Sequence, residues 1–352
     1  MPSALPNLPA PRRVLLIKPS ALGDVVTALP VLRGLRRSFP NVEIHWLVST
    51  ACSAILDGDP DIDKLVLFER KGMARWYRSM SQFRTFREFK TTLREGQYDW
   101  ALDLQGLMRS AIFAKFTHAK VRAGFSDARE GATLFYTHKI KTTAEHTCAK
   151  NIEFARALGI DARDEDMTLT VLPEAAAVAT SLLADRNIDA GRFLAVVPPT
   201  RWETKKYPVA HWRTVIETLA AERDIVLLGS PAPDEIALCA AVADGLGPRV
   251  HDLAGQTSLP QLTALIAQSA GVVCCDSAAK FIAPAVGIDC VCILGPTRAG
   301  RTGPFLRGVA LVSDVECTGC LKKRCPKSVQ DCMESIAPQA VIDAARAMLE
   351  GH

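Results

Sequence analysis

Short runs of uninterrupted apolar residues recur along the chain, each closed by a small-residue loop and followed by a stretch of helical spacing. The first, Arg13-Val-Leu-Leu-Ile-Lys18, suits a strand buried on both faces; Pro19-Ser-Ala-Leu-Gly-Asp24 follows as a loop, and an apolar helical pattern then runs through Arg37. Residues 42–49, 64–68 and 100–104 read as further strands with helical stretches between them. From about residue 161 to 189 the character changes to acidic residues, Pro173 and an Ala-rich helix. Beyond it the rhythm returns, with strands at 193–197, 225–228, 271–275 and 290–294 and helices around 211–222 and 259–267. Strands alternating with helices imply the α/β class, with parallel sheets covered on both faces. The pattern therefore predicts two Rossmann-like, doubly wound domains, residues 1–180 and 181–352. In such sheets ligands bind at the carboxyl ends of the strands, so the loops there are where chemistry is expected.

The length fits this division, because 352 residues exceed what one core usually serves. Apolar residues at 48% and charged residues at 23% exclude disordered, collagenous and coiled-coil readings. A net charge of +4 is too small a surplus to argue for nucleic acid. The most apolar stretch, residues 14–31, is broken by Lys18 and Asp24, which argues against a membrane-spanning helix. The first thirteen residues lack the apolar core of a secretory signal, so a cytoplasmic location is expected. Eleven cysteines in that compartment read as thiols or metal ligands before disulfides.

Asp24 stands at a helix start, with Lys18 at the end of the preceding strand. A carboxylate held ionised there suits a general base; it suits a helix cap equally. Neither half carries a G-x-G-x-x-G or G-x-x-x-x-G-K-[ST] loop, which weakens nicotinamide and P-loop readings. Asp234 and Glu235, after Gly229-Ser230, could hold a ribose or cap a helix. Between residues 70 and 94, Arg70, Lys71, Arg75, Arg78, Arg84, Arg87, Lys90 and Arg94 alternate with Trp76, Tyr77, Phe83, Phe86 and Phe89. Such a stretch can touch an anionic membrane surface, although a solvated face over a buried aromatic stripe is the simpler reading. Cys317-x-x-Cys320-x4-Cys325-x6-Cys332 has spacing that can close around a structural zinc or an iron–sulfur cluster, and reduced thiols are the alternative.

The segment from Val14 to Pro30, with its Lys18-Pro-Ser-Ala-Leu-Gly-Asp24 loop, resembles the opening of the heptosyltransferases, glycosyltransferase family 9 of lipopolysaccharide core synthesis. Further matches follow in the family's order: Asp103-Leu-Gln-Gly-Leu-Met-Arg-Ser110, Ala128-Arg-Glu130, His146 with Asn151, and Asp276-Ser277 before Gly295-Pro-Thr297. The resemblance implies a GT-B architecture, two Rossmann-like domains facing across a cleft, with acceptor bound by the first and nucleotide-sugar by the second. It implies that Asp24 is the catalytic base of an inverting, metal-independent transfer. It places the donor on Thr200, Lys205, Asp276 and Ser277, with Lys206 as a register alternative to Lys205. Lys18, Arg109 and Arg129 become acceptor candidates, since guanidinium groups grip carboxylates and phosphates at two points. The expected donor is ADP-heptose and the expected acceptor an anionic glycolipid, met through peripheral contact with the inner-membrane surface.

The chain departs from the family pattern after Asp276, where Ala278 replaces a glycine and Phe281 a histidine, while Lys280 adds a charge. Lys280 is thus a further donor candidate. The departure also keeps open a different nucleotide-sugar, or a glycan- or nucleotide-binding protein without turnover.

Overall fold

The computed structural model describes residues 8–69 and 79–351. The chain divides into two units, Met1–Met167 and Thr168–His352. The division falls ahead of the expected 180/181 boundary for a physical reason: the helix Pro173–Ala184 packs against the helix Leu259–Ala267 and so belongs to the second unit.

In the first unit, six parallel strands take the order β3-β2-β1-β4-β5-β6. β1 (Arg13–Ile17) lies at the centre, between β2 (Glu43–Ser49) and β4 (Trp100–Asp103), and Leu16 sits beside both Trp46 and Leu102. β3 (Lys64–Phe68) closes one edge; β5 (Val121–Phe125) and β6 (His138–Ile140) complete the other side. Helices cover both faces, which is why residues 14–17 are wholly buried and read as an unbroken apolar run. The helix Leu29–Ser38 turns Leu29, Val31, Leu32 and Leu35 inward. On its outer side Arg33 pairs with Asp59 and Asp61, and Arg37 with the buried Asp166.

The second unit repeats the plan in the order β12-β11-β10-β7-β8-β9. β7 (Leu194–Val197) and β10 (Gly271–Cys275) are its central pair, flanked by β8 (Ile225–Leu227) and β11 (Cys290–Leu294), with β9 (Val250–Asp252) and β12 (Val309–Val312) at the edges. Trp212, Val215, Ile216 and Leu219 of the helix Val209–Ala220 fill one side of the core. The helix Pro338–Glu350 returns to the same core with Val341, Ile342 and Ala345. Just before it, the carbonyl of Ile336 accepts the Tyr207 hydroxyl at 2.7 Å.

All eleven cysteines are free thiols, and the seven outside the 317–332 segment are buried. Among the described residues no helix is long and apolar enough to cross a membrane.

Candidate active site

Both sheets change direction beside their first strand. β1 leads one way to β2 and the other way to β4; β7 does the same with β8 and β10. Neighbouring loops diverge at such a point and leave a crevice at the strands' carboxyl ends. The site residues sit in these loops.

In the first unit the chain leaves β1 through Lys18, passes a cis Ser20–Ala21 bond and enters the short helix Leu22–Val26. Asp24 lies in that helix's first turn, half-buried, and its Oδ2 accepts the Ala21 N–H at 3.0 Å. The capping role is therefore real, but it uses one oxygen; among the described residues Oδ1 has no hydrogen-bond partner. Lys18 is buried and donates to the carbonyl of Leu104 at 2.6 Å, tying the β1 loop to the β4 loop. Burial pushes its ammonium below the ordinary lysine range, against the opposing pull of Asp24 and Asp103.

Asp103, at the end of β4, is the organiser of the next loop. Its fully buried carboxylate accepts Tyr136 Oη at 2.6 Å, Ser110 Oγ at 2.8 Å and the N–H groups of Gln105 and Gly106 at 2.9 and 3.2 Å. Burial drives its pKa up despite these donors. Gly106, at φ +68°, lets the chain turn there and offers its carbonyl to the Arg129 N–H at 2.9 Å. Arg109, in the first turn of the helix Met108–Phe116, and Arg129, on the loop after β5, are both exposed, with the Arg109 guanidinium 6.0 Å from the Phe68 ring centre. His146 caps the helix Thr147–Ala157, and Asn151 donates to the carbonyl of Thr27 at 2.9 Å. Asn151 thereby ties that helix to the segment just after Asp24.

In the second unit, Thr200, Lys205, Asp276 and Lys280 meet in one network. The carbonyl of Asp276 accepts Thr200 Oγ1 at 2.9 Å, joining the loops after β7 and β10. Asp276 Oδ2 lies 2.8 Å from Lys205 Nζ, and Oδ1 forms an ion pair with Lys280 Nζ. Burial alone would raise the Asp276 pKa; Lys280 and Lys205 reverse that and hold it below the usual carboxylate range. Ser277 is the next residue, half-buried, its Oγ accepting the Ala279 N–H at 3.3 Å. Lys206 turns instead to Glu203, at 2.7 Å. Glu235 receives the Ser230 N–H at 2.8 Å and so pins its own loop, while Asp234 is exposed.

Two residues of this architecture carry roles that sequence reasoning did not assign. Asp103 opened a matched motif without being named as a site residue. Thr297 closed another, and its hydroxyl donates to Asp276 Oδ2. The signal for Thr297 lay in the pattern: it follows β11, the parallel neighbour of β10, so the two loops emerge side by side.

The four clustered cysteines line one small cavity of about 50 Å³, together with Lys322, Lys327 and Thr204. Burial, with the other three thiols nearby, raises the Cys332 pKa. Among the described residues no three His, Cys, Asp or Glu side chains stand in a metal-holding arrangement. The cysteine segment grips the loop after β7: the carbonyl of Lys322 accepts Thr204 Oγ1 at 2.8 Å, and Gln330 Nε2 donates to the carbonyl of Thr204.

On the helix Met80–Glu95, Phe89 and Leu93 are buried while Arg84, Arg87, Lys90 and Arg94 are exposed. Arg70, Lys71, Arg75, Trp76, Tyr77 and Arg78 lie outside the described residues. A cavity of about 820 Å³ in the second unit lies away from this chemistry, at the amino ends of the strands, between Arg192, Asp224, Arg249 and Arg307.

Comparison with known proteins gives one family. Residues 86–329 match the model of glycosyltransferase family 9 (heptosyltransferase). Lipopolysaccharide heptosyltransferase 1 of Pseudomonas aeruginosa is 31% identical over 326 residues, covering 89% of this chain and 87% of that protein. The protein of the same name from Escherichia coli K12 is 26% identical over 301 residues, 83% of this chain and 91% of its own. The structure of E. coli heptosyltransferase WaaC with ADP-2-deoxy-2-fluoro heptose shares the GT-B fold at a TM-score of 0.74 and 23% identity, over 97% of this chain and 100% of that one. The motifs met in order along the sequence, the paired doubly wound sheets and these matches agree: the chain belongs to glycosyltransferase family 9, the heptosyltransferases.

Proposed function

We propose that this glycosyltransferase moves a heptose from ADP-heptose to an anionic lipopolysaccharide core acceptor, with inversion at the anomeric carbon. The observation that carries the reading is Asp24: in the helix turn that follows the central strand, one oxygen is capped and the other has no partner among the described residues, which gives a fixed carboxylate able to take a proton. In this mechanism the acceptor hydroxyl oxygen attacks the anomeric carbon from the face opposite the nucleotide. Its proton passes to Asp24 Oδ1, the bond from the anomeric carbon to the diphosphate oxygen breaks, and ADP leaves. Lys205 offsets the charge that develops on the leaving diphosphate, so no catalytic metal is required. Thr200 and Ser277 shape the donor pocket, and Lys18, Arg109 and Arg129 serve the acceptor, with Lys18 acting by holding the β1 and β4 loops together. The work belongs at the cytoplasmic face of the inner membrane, with the exposed arginines of residues 84–94 toward anionic lipid.

Replacing Asp24 with Asn keeps the shape and removes proton acceptance. Turnover of ADP-heptose should fall ~10²–10⁴-fold while ADP binding survives. Near-normal turnover would remove Asp24 from the role. Ala278 and Phe281 favour a second reading, another nucleotide-sugar as donor. A thermal-shift panel decides it: ADP-heptose standing out supports the first reading, another sugar the second, and binding without turnover on any acceptor would leave a binding protein.

The same reading gives the four clustered thiols a structural metal. A thiolate set offset by Lys322 and Lys327 suits zinc or an iron–sulfur cluster, and the four thiols, which do not stand in a metal-holding arrangement in this structure, would have to draw together around the cavity they line. Stoichiometric metal in the purified protein is the expected result; four titratable thiols without metal would overturn it.

A further inference from the structure

Asp276 has more positive partners than one carboxylate needs. Lys205 approaches Oδ2 at 2.8 Å, Thr297 donates to the same oxygen, and Lys280 is paired with Oδ1. Two ammonium groups around one carboxylate leave a net charge of about +1 in a largely buried site, which is the charge an anion seeks.

The two lysines are not equivalent. The Lys280 side chain is 3% exposed; it rises from the first turn of the helix Ala279–Ala285, four residues after Asp276, and its ammonium lies 4.9 Å from the Phe281 ring centre. Lys205 is 15% exposed, on the loop after β7, with its ammonium 4.2 Å from the Trp202 ring centre. One cation is sealed in and the other stands at the mouth.

We propose that Lys280 is a positioning residue, a permanent counter-ion that keeps Asp276 satisfied so that Lys205 can leave the carboxylate and take hold of the donor diphosphate. This rests on the donor reading above. Were Lys205 the carboxylate's sole cation, moving it to a phosphate would strand a buried charge, and stranding a buried charge is among the costliest single losses a protein can suffer. With Lys280 and Thr297 in place, Asp276 stays paired when Lys205 moves. Lys280 thereby serves the donor without touching it. The basic residue sits at the point where this chain leaves the family pattern, next to Phe281.

Charge arithmetic supplies the test. Lys280→Met lowers the site's net charge to about zero and leaves Asp276 to hold Lys205. Lys280→Met with Asp276→Asn returns it to about +1, with no carboxylate to restrain Lys205. Binding of ADP and of inorganic pyrophosphate is measured by calorimetry, and turnover with ADP-heptose in parallel. The single variant should lose ~10-fold or more in ADP affinity, as expected for loss of a charge-assisted contact, and raise the donor KM more than it lowers kcat. The double variant should bind ADP several-fold more tightly than the single one, because Lys205 is no longer held by the carboxylate. A merely structural lysine would give no such recovery.

A double variant as weak as the single one, or a single variant of normal affinity, would overturn the proposal. The double variant leaves no carboxylate buried, and its one remaining cation, Lys205, stands at the mouth of the site, so it tests the proposal even where Lys280→Met alone fails to fold. Wild type that binds ADP and pyrophosphate but turns over no ADP-heptose would end the donor reading while pyrophosphate still tests Lys280. Wild type that binds neither anion would overturn the proposal itself.

Discussion

Asp276 owes its ionised state to the lysines around it, and that has a consequence in acid. Its folded-state pKa lies below the ordinary carboxylate value of about 3.9, so its contribution to stability is present above that value and is lost as pH falls through the folded one. The melting midpoint of wild type should therefore lose ground to that of Asp276→Asn between about pH 4 and the pH of acid unfolding; a constant gap across that range would contradict the assignment. Residues of this kind differ in how far a sequence reveals them. Asp276 follows a buried strand directly, and Asp24, Thr200 and Lys205 stand in the segments that leave buried strands, where polar residues after an apolar run announce themselves. Asp103 and Thr297 act through other side chains, on Tyr136 33 residues away and on Asp276 21 residues away. Such partnerships exist only once parallel strands bring their ends together. Lys280 was visible as a charge, but nothing in its spacing said that it would face inward to a carboxylate.

The strands at the centre of each sheet were the most legible elements, and of the edge strands only β3 was read. β1, β10 and β11 are enclosed on both faces and appear as apolar runs with clear ends. The strands that sequence reasoning passed over, β5, β6, β9 and β12, have sequences such as His-Lys-Ile and Val-His-Asp and lie at or near sheet edges, where one face or one rim meets water. Packing between elements was equally hidden. Gly34 sits in the middle of the helix Leu29–Ser38, where alanine would ordinarily gain about 0.5–1 kcal/mol. A Cβ at that position would stand 2.8 Å from Ala162 Cα and 2.9 Å from its nitrogen. Backbone cannot swing aside as a side chain can, so the clash should outweigh the propensity. Gly34→Ala is expected to lower the thermal midpoint; a rise would mean that the 160–162 segment yields.

At the scale of the molecule, the two units divide the labour that the proposed reaction needs, the base in one and the donor network in the other. Their ligand responses should divide as well. At 100 times its dissociation constant, ADP-heptose should stabilise the folded state by about 2.7 kcal/mol. Asp24→Asn should keep that shift, because the donor residues are untouched, and Lys205→Ala should lose most of it at the same ligand concentration. A melting scan of both variants, with and without ligand, checks this; a shift abolished by Asp24→Asn would place the donor against the first unit.

The return of the helix Pro338–Glu350 to the second core bears on how the protein is born. Domains tend to fold as units in the order in which they are synthesised. The first unit, Met1–Met167, is complete when barely half the chain exists. The second must wait: Val341, Ile342 and Ala345 are wholly or almost wholly buried, and until they are made the face of β10 and β11 that they cover stays open. A nascent chain thus carries an unfinished apolar surface through nearly the whole synthesis of its second half. Ending translation after Ala337 would make that condition permanent. Buried aliphatic side chains as large as Val341 and Ile342 are worth about 1.5–3 kcal/mol each, so the shortened protein is expected in the insoluble fraction, with its first unit still resisting a protease. Recovery of a soluble, ADP-binding truncation would show that the sheet holds without its last helix.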